Sequence, residues 1–235
     1  MADHISIVYE FTLPDGDQER FDLLIDAQTI ELISPRPDEQ PFWTQLEFEQ
    51  CPHCPFTPDT HPHCPVALNL VPAIACFAHL MSFEAMTVNV INDNRSVIQK
   101  TSAQEGISSL MGLLIASSSC PMTHFFKPMA RFHLPFANRD ETIWRAAATY
   151  LMARYFTEQG LNEADMTLSG LEEIYDDVAR LNDAVIQRLR KATSRDSTVN
   201  ALVHLDVFAK FFTPPLEDSL ALLKATFEPF LVMLR

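Results

Sequence analysis

Four of the five cysteines are followed directly by proline: Cys51, Cys54, Cys64 and Cys120. Cys51-Pro52-His53-Cys54 is a C-x-x-C pair, a tight turn that lets two thiolates face one metal ion while backbone N–H groups point at the sulfurs. Proline at its second position fixes the turn and withholds a donor that the turn does not use. Cys64 follows after nine intervening residues. Soft sulfur ligands in this number suit tetrahedral Zn²⁺. Two residues compete for the fourth place. Cys120 shares the Cys-Pro context of the other three and is preferred. His61 would instead close C-x2-C-x6-H-x2-C within one short segment. His53, inside the turn, and His63, beside Cys64, are geometrically poorer. Zinc knuckles often place glycine after the second cysteine, where Pro55 stands here. A structural zinc would contribute on the order of 10 kcal/mol to local folding. Iron bound as a cluster or haem thiolate ranks lower, because the spacing departs from the common ferredoxin runs. Reduced or redox-active thiols, with Cys51 and Cys54 forming a switch, complete the alternatives.

A second segment, 120–136, is irregular and dense in aromatics, and it carries His124, Lys127, Arg131 and His133. Segments of this kind often line sites. It supports a rival enzyme reading, in which Cys120 is a thiolate nucleophile activated by a histidine and His124, Arg131 and His133 line the pocket. The competing reading is structural. Phe125, Phe126, Phe132 and Phe136 then pack between the halves of the chain, Arg131 pairs with an N-terminal acid, and His133 is a satisfied core histidine. Cys76, His79 and His204 fall among apolar neighbours and read as core. Glu172, Glu173, Asp176 and Asp177 read as a solvated helix face.

Composition removes other classes. With 5 glycines in 235 residues the chain builds neither G-x-G-x-x-G nor a P-loop, and G-x-S-x-G and H-E-x-x-H are absent as well. A net charge of −14 disfavours nucleic acid. Residues 1–60 hold 13 acids and 2 bases, so most of that charge lies in the first quarter. It reads as a solvated acidic β face, with docking of a basic protein partner as the sharper alternative. MADHISIVYE has no cationic start and no apolar run ending in small residues, so no signal peptide is expected. No apolar run reaches the length of a membrane span. The expectation is a cytoplasmic chain whose cysteines serve metal or thiol chemistry rather than disulfides.

The elements that must position these residues follow an α+β order. Ile5, Ile7, Tyr9, Phe11 and Leu13 alternate with less apolar residues, Pro14–Asp17 makes a turn, and Phe21, Leu23 and Ile25 resume the alternation as a hairpin. Short strands are also expected at 29–33 and around Leu46 and Phe48, with a linker over 34–41. Nine of the 16 prolines fall between Pro35 and Pro72, a stretch unsuited to a helix or central strand. Val66–Met81 reads as a buried helix with Pro72 as a kink, and Asn92-Asp93-Asn94 as the turn of a second hairpin. Ser102 with Glu105, Asn138 with Glu141 and Ser169 with Glu172 cap three helices, the second ending near Gly160. Helices over 197–212 and 215–227 follow. The expected division is an acidic β-rich segment 1–50, a cysteine-proline hub 51–138 and a helical segment 139–235, integrated into one domain. The apolar faces over 171–190 and 197–212 suit either a core or a dimer, which leaves the oligomeric state open.

CPHCPF, HCPVALNL, GLLIASSSCPMTHFFKPMARFHLPFA, ETIWRAAATYLMARYF and DSTVNALVHLD together resemble a bacterial domain of unknown function found mainly in proteobacteria. The resemblance covers nearly the whole chain, and the cysteine-proline and PMARFHLPFA segments are its distinctive parts. It implies a stand-alone cytoplasmic protein and brings no catalytic residue with it. Ser119 stands where that pattern leads one to expect glycine. The leading functional expectation is a zinc-stabilised binding or regulatory protein without catalytic turnover.

Overall fold

The computed structural model describes residues 3–33, 40–157, 168–192, 199–201, 203 and 216–234. The N-terminal half forms a four-stranded antiparallel sheet of order β2-β1-β3-β4. Its strands are β1 (His4–Thr12), β2 (Gln18–Asp26), β3 (Ala85–Asn92) and β4 (Arg95–Ser102). The first hairpin closes where Gly16 adopts φ +94°, a left-handed conformation open to glycine. Leu13 N–H then reaches the Asp17 carbonyl at 2.8 Å. In the second hairpin the Asn92 carboxamide accepts from the N–H groups of Asn94 and Arg95. Pairing of β1 with β3 joins the hairpins, setting Tyr9 opposite Phe21 on one side and Val90 on the other.

Alternation sends Ile5, Ile7, Tyr9 and Phe11 of β1, with Met86, Val88 and Val90 of β3, to one face. Helices α1 (Pro65–Phe77) and α2 (Ala103–Ala116) cover it. Ser102 ends β4 and caps α2 in a full capping box with Glu105. Gly106 allows α2 its close approach to the sheet, because a Cβ there would stand 2.9 Å from Val88 Cγ2. Pro72 lies within α1 on its exposed side, where the side chain costs no packing. On the opposite face of the sheet Arg20 bridges Glu10 and Asp22, so the acidic surface carries its own cation there.

The remaining elements are a 3₁₀ turn at Pro121–Phe126, α3 (Lys127–Arg131), α4 (Arg139–Thr157), α5 (Ser169–Ala192) and α6 (Leu216–Leu231). Asn138 and Glu141 exchange side chain–backbone bonds at the start of α4, as their spacing predicts. Leu181, Val185, Ile186 and Leu189 of α5 enter the same core as the strands and as Cys51, Cys64 and Cys120. A smaller cluster joins α4 to the first half of α5 around Ile143, Ala146, Leu171 and Tyr175. The arrangement is α+β.

Two expected strands are corrected. Residues 29–33 make only one bridge, Ile25 with Leu32. Leu46 and Phe48 lie in turns after a 3₁₀ segment at Phe42–Thr44, where Gln45 bridges His63. In that segment Arg188 takes carbonyls that a strand would have offered to a neighbouring strand. Among the described residues no helix is long and apolar enough to cross a membrane. The 34–39 part of the expected linker, Gly160, most of the 197–212 helix and His204 lie outside the described residues.

Candidate functional site

The hub is built from three stretches of chain. Cys54 N–H donates to the Cys51 carbonyl at 3.0 Å and closes the C-x-x-C turn. Cys64 N–H donates to the Thr44 carbonyl at 2.8 Å, tying the second stretch to the 3₁₀ segment. Cys64 is the N-cap of α1, with Pro65 in its first turn, and Cys120 is the N-cap of the 3₁₀ turn, with Pro121 in the same place. Their backbones are nearly identical, φ −70°, ψ 121° and φ −72°, ψ 123°.

Burial, followed by the neighbouring Cys64, Cys120 and Cys54, pushes the Cys51 thiol up to about 12. Cys120 is pushed up to about 11 by burial, partly offset by backbone N–H groups of Met122 and Thr123, and feels Cys64 and Cys54. The four thiols therefore lie in one another's electrostatic field. All five cysteines are free thiols. Among the described residues no three His, Cys, Asp or Glu side chains close around a point that would hold a metal ion.

Two cations flank the thiols. Arg188 of α5 is 2% exposed, and its guanidinium donates to the carbonyls of Trp43, Gln45 and Leu46. Burial lowers its pKa, and Cys64, Cys51, Glu49 and Cys54 act in the opposite direction. Lys127 donates to the carbonyls of Ser118 and Ile30 at 2.7 and 3.0 Å, with Glu31 at 3.8 Å. Burial lowers its pKa too, against Glu31 and Cys120.

The histidines have separate settings. His61 stacks on Phe56, ring centroids 3.7 Å apart, and its Nδ1 lies 3.1 Å from Thr60 Oγ1. His63 Nδ1 lies 2.8 Å from Thr44 Oγ1. His53 buries both ring nitrogens, and neither has a hydrogen-bond partner. The sequence ranked His53 low because turn geometry was the only signal available. His79 follows the end of α1 and is exposed, so its reading as a core residue is corrected. Cys76 is half-buried against the core, and Glu19 acts on it after burial in raising its thiol to about 12.

The 120–136 segment divides. His133 lines a cleft of about 370 Å³ together with Arg145, Tyr175 and Asn182, whereas Cys120, His124 and Arg131 do not. His124 and Arg131 are exposed, and Arg131 lies over the exposed Phe132 ring instead of pairing with an acid. Phe125 and Phe126 pack edge-on against Tyr175, and Phe136 packs on the main core. Burial, then the charge of Arg145, pulls His133 down to about 3. Sequence reasoning missed Arg188, Arg145 and Asn182. Arg188 and Asn182 were legible as polar residues on the apolar stripe that Val178, Leu181 and Val185 define.

A family match spans residues 7–228, from β1 into α6, and takes in every residue of the hub and the cleft. The chain belongs to DUF6901, a domain of unknown function. The DUF6901 match therefore covers the sheet, the hub and the helical half together, rather than the hub alone. No curated protein and no solved structure matches the chain.

Proposed function

We propose that this DUF6901 protein is a zinc-stabilised binding or regulatory protein without catalytic turnover, working in the reducing cytoplasm. Cys51, Cys54, Cys64 and Cys120 hold the metal. Charge balance at the hub carries the reading. Zn²⁺ with four thiolates has a net charge of −2, and Arg188 stands beside it, with Lys127 between Glu31 and Cys120. Arg188 is a buried cation with carbonyl partners alone, which is costly, so an anionic centre close by accounts for it. Cations placed outside the ligand shell also tune metal affinity. His61 is stacked and bonded within its own loop, which favours Cys120 as the fourth ligand. The metal would clamp a proline-rich segment that has few ladder bonds to α1 and to the chain entering α3. The acidic N-terminal face is the surface we assign to a basic protein partner, away from Glu10 and Asp22, which Arg20 already bridges.

The enzyme alternative has less support. Cys120 is buried with a raised pKa, and no histidine bonds it among the described residues. Metal analysis of protein purified without chelator tests the proposal. About one zinc per chain is expected, and a content below about 0.2 refutes the metal site.

A further inference from the structure

We infer that the cleft between α2, α4 and α5 binds a monocarboxylate with an apolar body of about ten carbons. The inference gives the binding role a ligand class and does not rest on the metal, since none of the four hub cysteines lines this cleft.

The walls are mostly apolar, from Leu113, Phe126, Met129 and Val178. Several polar side chains also line it, and most are already engaged: Glu105 in the cap of α2, Ser109 with Tyr9, and Asn138 and Thr142 at the start of α4. Three others, each from a different stretch of chain, keep polar atoms open to the cleft. Asn182 on α5 is 5% exposed and lines the cleft, and no hydrogen bond joins its amide to another described residue. Arg145 on α4 is anchored through Nη2, which donates to the carbonyls of Met129 at 2.8 Å and Phe132 at 3.2 Å. Its Nε and Nη1 have no partner, and no carboxylate lies within 4 Å of it among the described residues. His133 follows α3, and its Nε2 lies 2.6 Å from the Tyr9 hydroxyl. The Tyr9 hydroxyl has one proton for two acceptors, His133 Nε2 and the Ser109 carbonyl at 3.1 Å, so His133 Nδ1 donates in one tautomer and accepts in the other. That Nδ1 also lacks a partner among the described residues.

Asn182 is buried and Arg145 and His133 are half-buried, and open polar groups from three stretches of chain converging on one apolar cleft point to a common ligand. All three can donate: the Arg145 fork, the Asn182 amide and His133 Nδ1–H. An amine would be repelled by Arg145, and an alcohol would satisfy only part of the set. A phosphate dianion would meet one cation where it needs two. A carboxylate supplies one charge and two acceptor oxygens, which suit a guanidinium fork with a further donor beside it. The volume of about 370 Å³ equals about twelve waters at the ~30 Å³ each fills in the liquid. Decanoate, with ten carbons and two oxygens, has that number of heavy atoms.

Calorimetric titration of decanoate into the full chain, with zinc measured on the same preparation, tests the inference. Saturable one-to-one binding is expected, with decanol about tenfold weaker or worse. Asn182→Leu should weaken decanoate by about tenfold while raising the melting temperature of the ligand-free protein, because an unpaired buried amide is removed. Arg145→Met should weaken decanoate at least as much. Absence of saturable binding, equal binding of decanol, or unchanged affinity in Asn182→Leu overturns the inference. Zinc-free protein that binds decanoate overturns only the metal reading, and zinc-loaded protein that does not bind it overturns only this one.

Discussion

Replacing Arg188 by methionine tests how the hub is tied to the helical half. Methionine keeps an unbranched stem of similar reach but removes the charge and every donor. The carbonyls of Trp43 and Leu46 lose their partner, the Leu46 bond being a weak 3.3 Å, while that of Gln45 keeps the Phe48 N–H at 3.2 Å. A buried acceptor left unpaired costs about 1–3 kcal/mol, and Trp43 supplies the one strong loss. Relief of the buried guanidinium's desolvation offsets part of this, which leaves a net loss of about 1–2 kcal/mol. In a chain of this size that lowers the melting temperature by about 5 °C. The same change removes a positive charge from the field of Cys51, Cys54 and Cys64. Changes to residues that support a metal's ligands commonly cost about 10–100-fold in affinity. Urea unfolding followed by Trp43 fluorescence reads the first effect, and zinc competition with a chromogenic chelator reads the second. Arg188→Lys separates the two: its ammonium restores the charge but cannot span three carbonyls, so it should recover zinc affinity more fully than stability. Stability within about 0.5 kcal/mol of wild type, together with unchanged zinc affinity, refutes both arguments.

Cys120→Ser should lower zinc content while His61→Ala leaves it unchanged, and the reverse pattern would move the fourth ligand to His61. Iodoacetamide should label Cys120 slowly in zinc-loaded protein and faster after chelation; rapid labelling of the loaded protein would favour a reactive thiol. His53→Leu should stabilise the chelated protein by about 1–3 kcal/mol, because two unpaired ring nitrogens are removed from the interior. A loss of zinc in that variant would instead assign His53 to the metal. His133 has a folded pKa of about 3, below its unfolded value near 6.5, so its contribution is complete above 6.5 and is lost as the pH falls toward 3. Between about pH 7.5 and 5.5 that loss is about 1.4 kcal/mol. The stability difference between wild type and His133→Gln should change by this amount, and a pH-independent difference would refute the assignment.

The legible parts of the sequence were those governed by local rules. Period-two alternation located β1 and β2, and the Ser102–Glu105 and Asn138–Glu141 spacings located two helix starts. Strands 29–33 and 46–48 failed because their apolar residues serve turns and bridges, and alternation over three or four residues cannot separate the two. Pairing of β1 with β3 depends on contacts about eighty residues apart and leaves no local mark. The same holds for Arg188, whose carbonyl partners lie more than 140 residues earlier. In the sequence it sits beside Arg190 and Lys191 and reads as one of three cations at a helix end. Only its register with Leu181 and Val185 sets it apart. Arg131 shows the opposite failure: its setting among aromatics suggested a buried role, yet it is exposed.

The Cys-Pro pairing also has a physical basis that spacing alone does not express. Proline pushes the residue before it out of the helical region, and it fits the first turn of a helix, where its missing N–H is not needed. At Cys64 and Cys120 the Cys-Pro step makes cysteine the N-cap, with backbone angles within about two degrees of each other, whereas Cys51-Pro52 and Cys54-Pro55 lie in turn and coil. An N-cap side chain sits at the positive end of its helical segment, among N–H groups without intrahelical partners, and both features favour a thiolate over a thiol. Burial opposes this, because it raises Cys120 even as the N–H groups of Met122 and Thr123 lower it. Without a metal burial prevails and the thiol keeps its proton. A divalent cation reverses that balance, since a coordinating thiol is deprotonated outright. The helix termini, Arg188 and Lys127 then all favour the charge that results. Glycine at the same positions would reach the turn geometry but would not fix the cysteine at the cap. That restriction gives the abundance of proline a role in the hub that turn formation alone would not require.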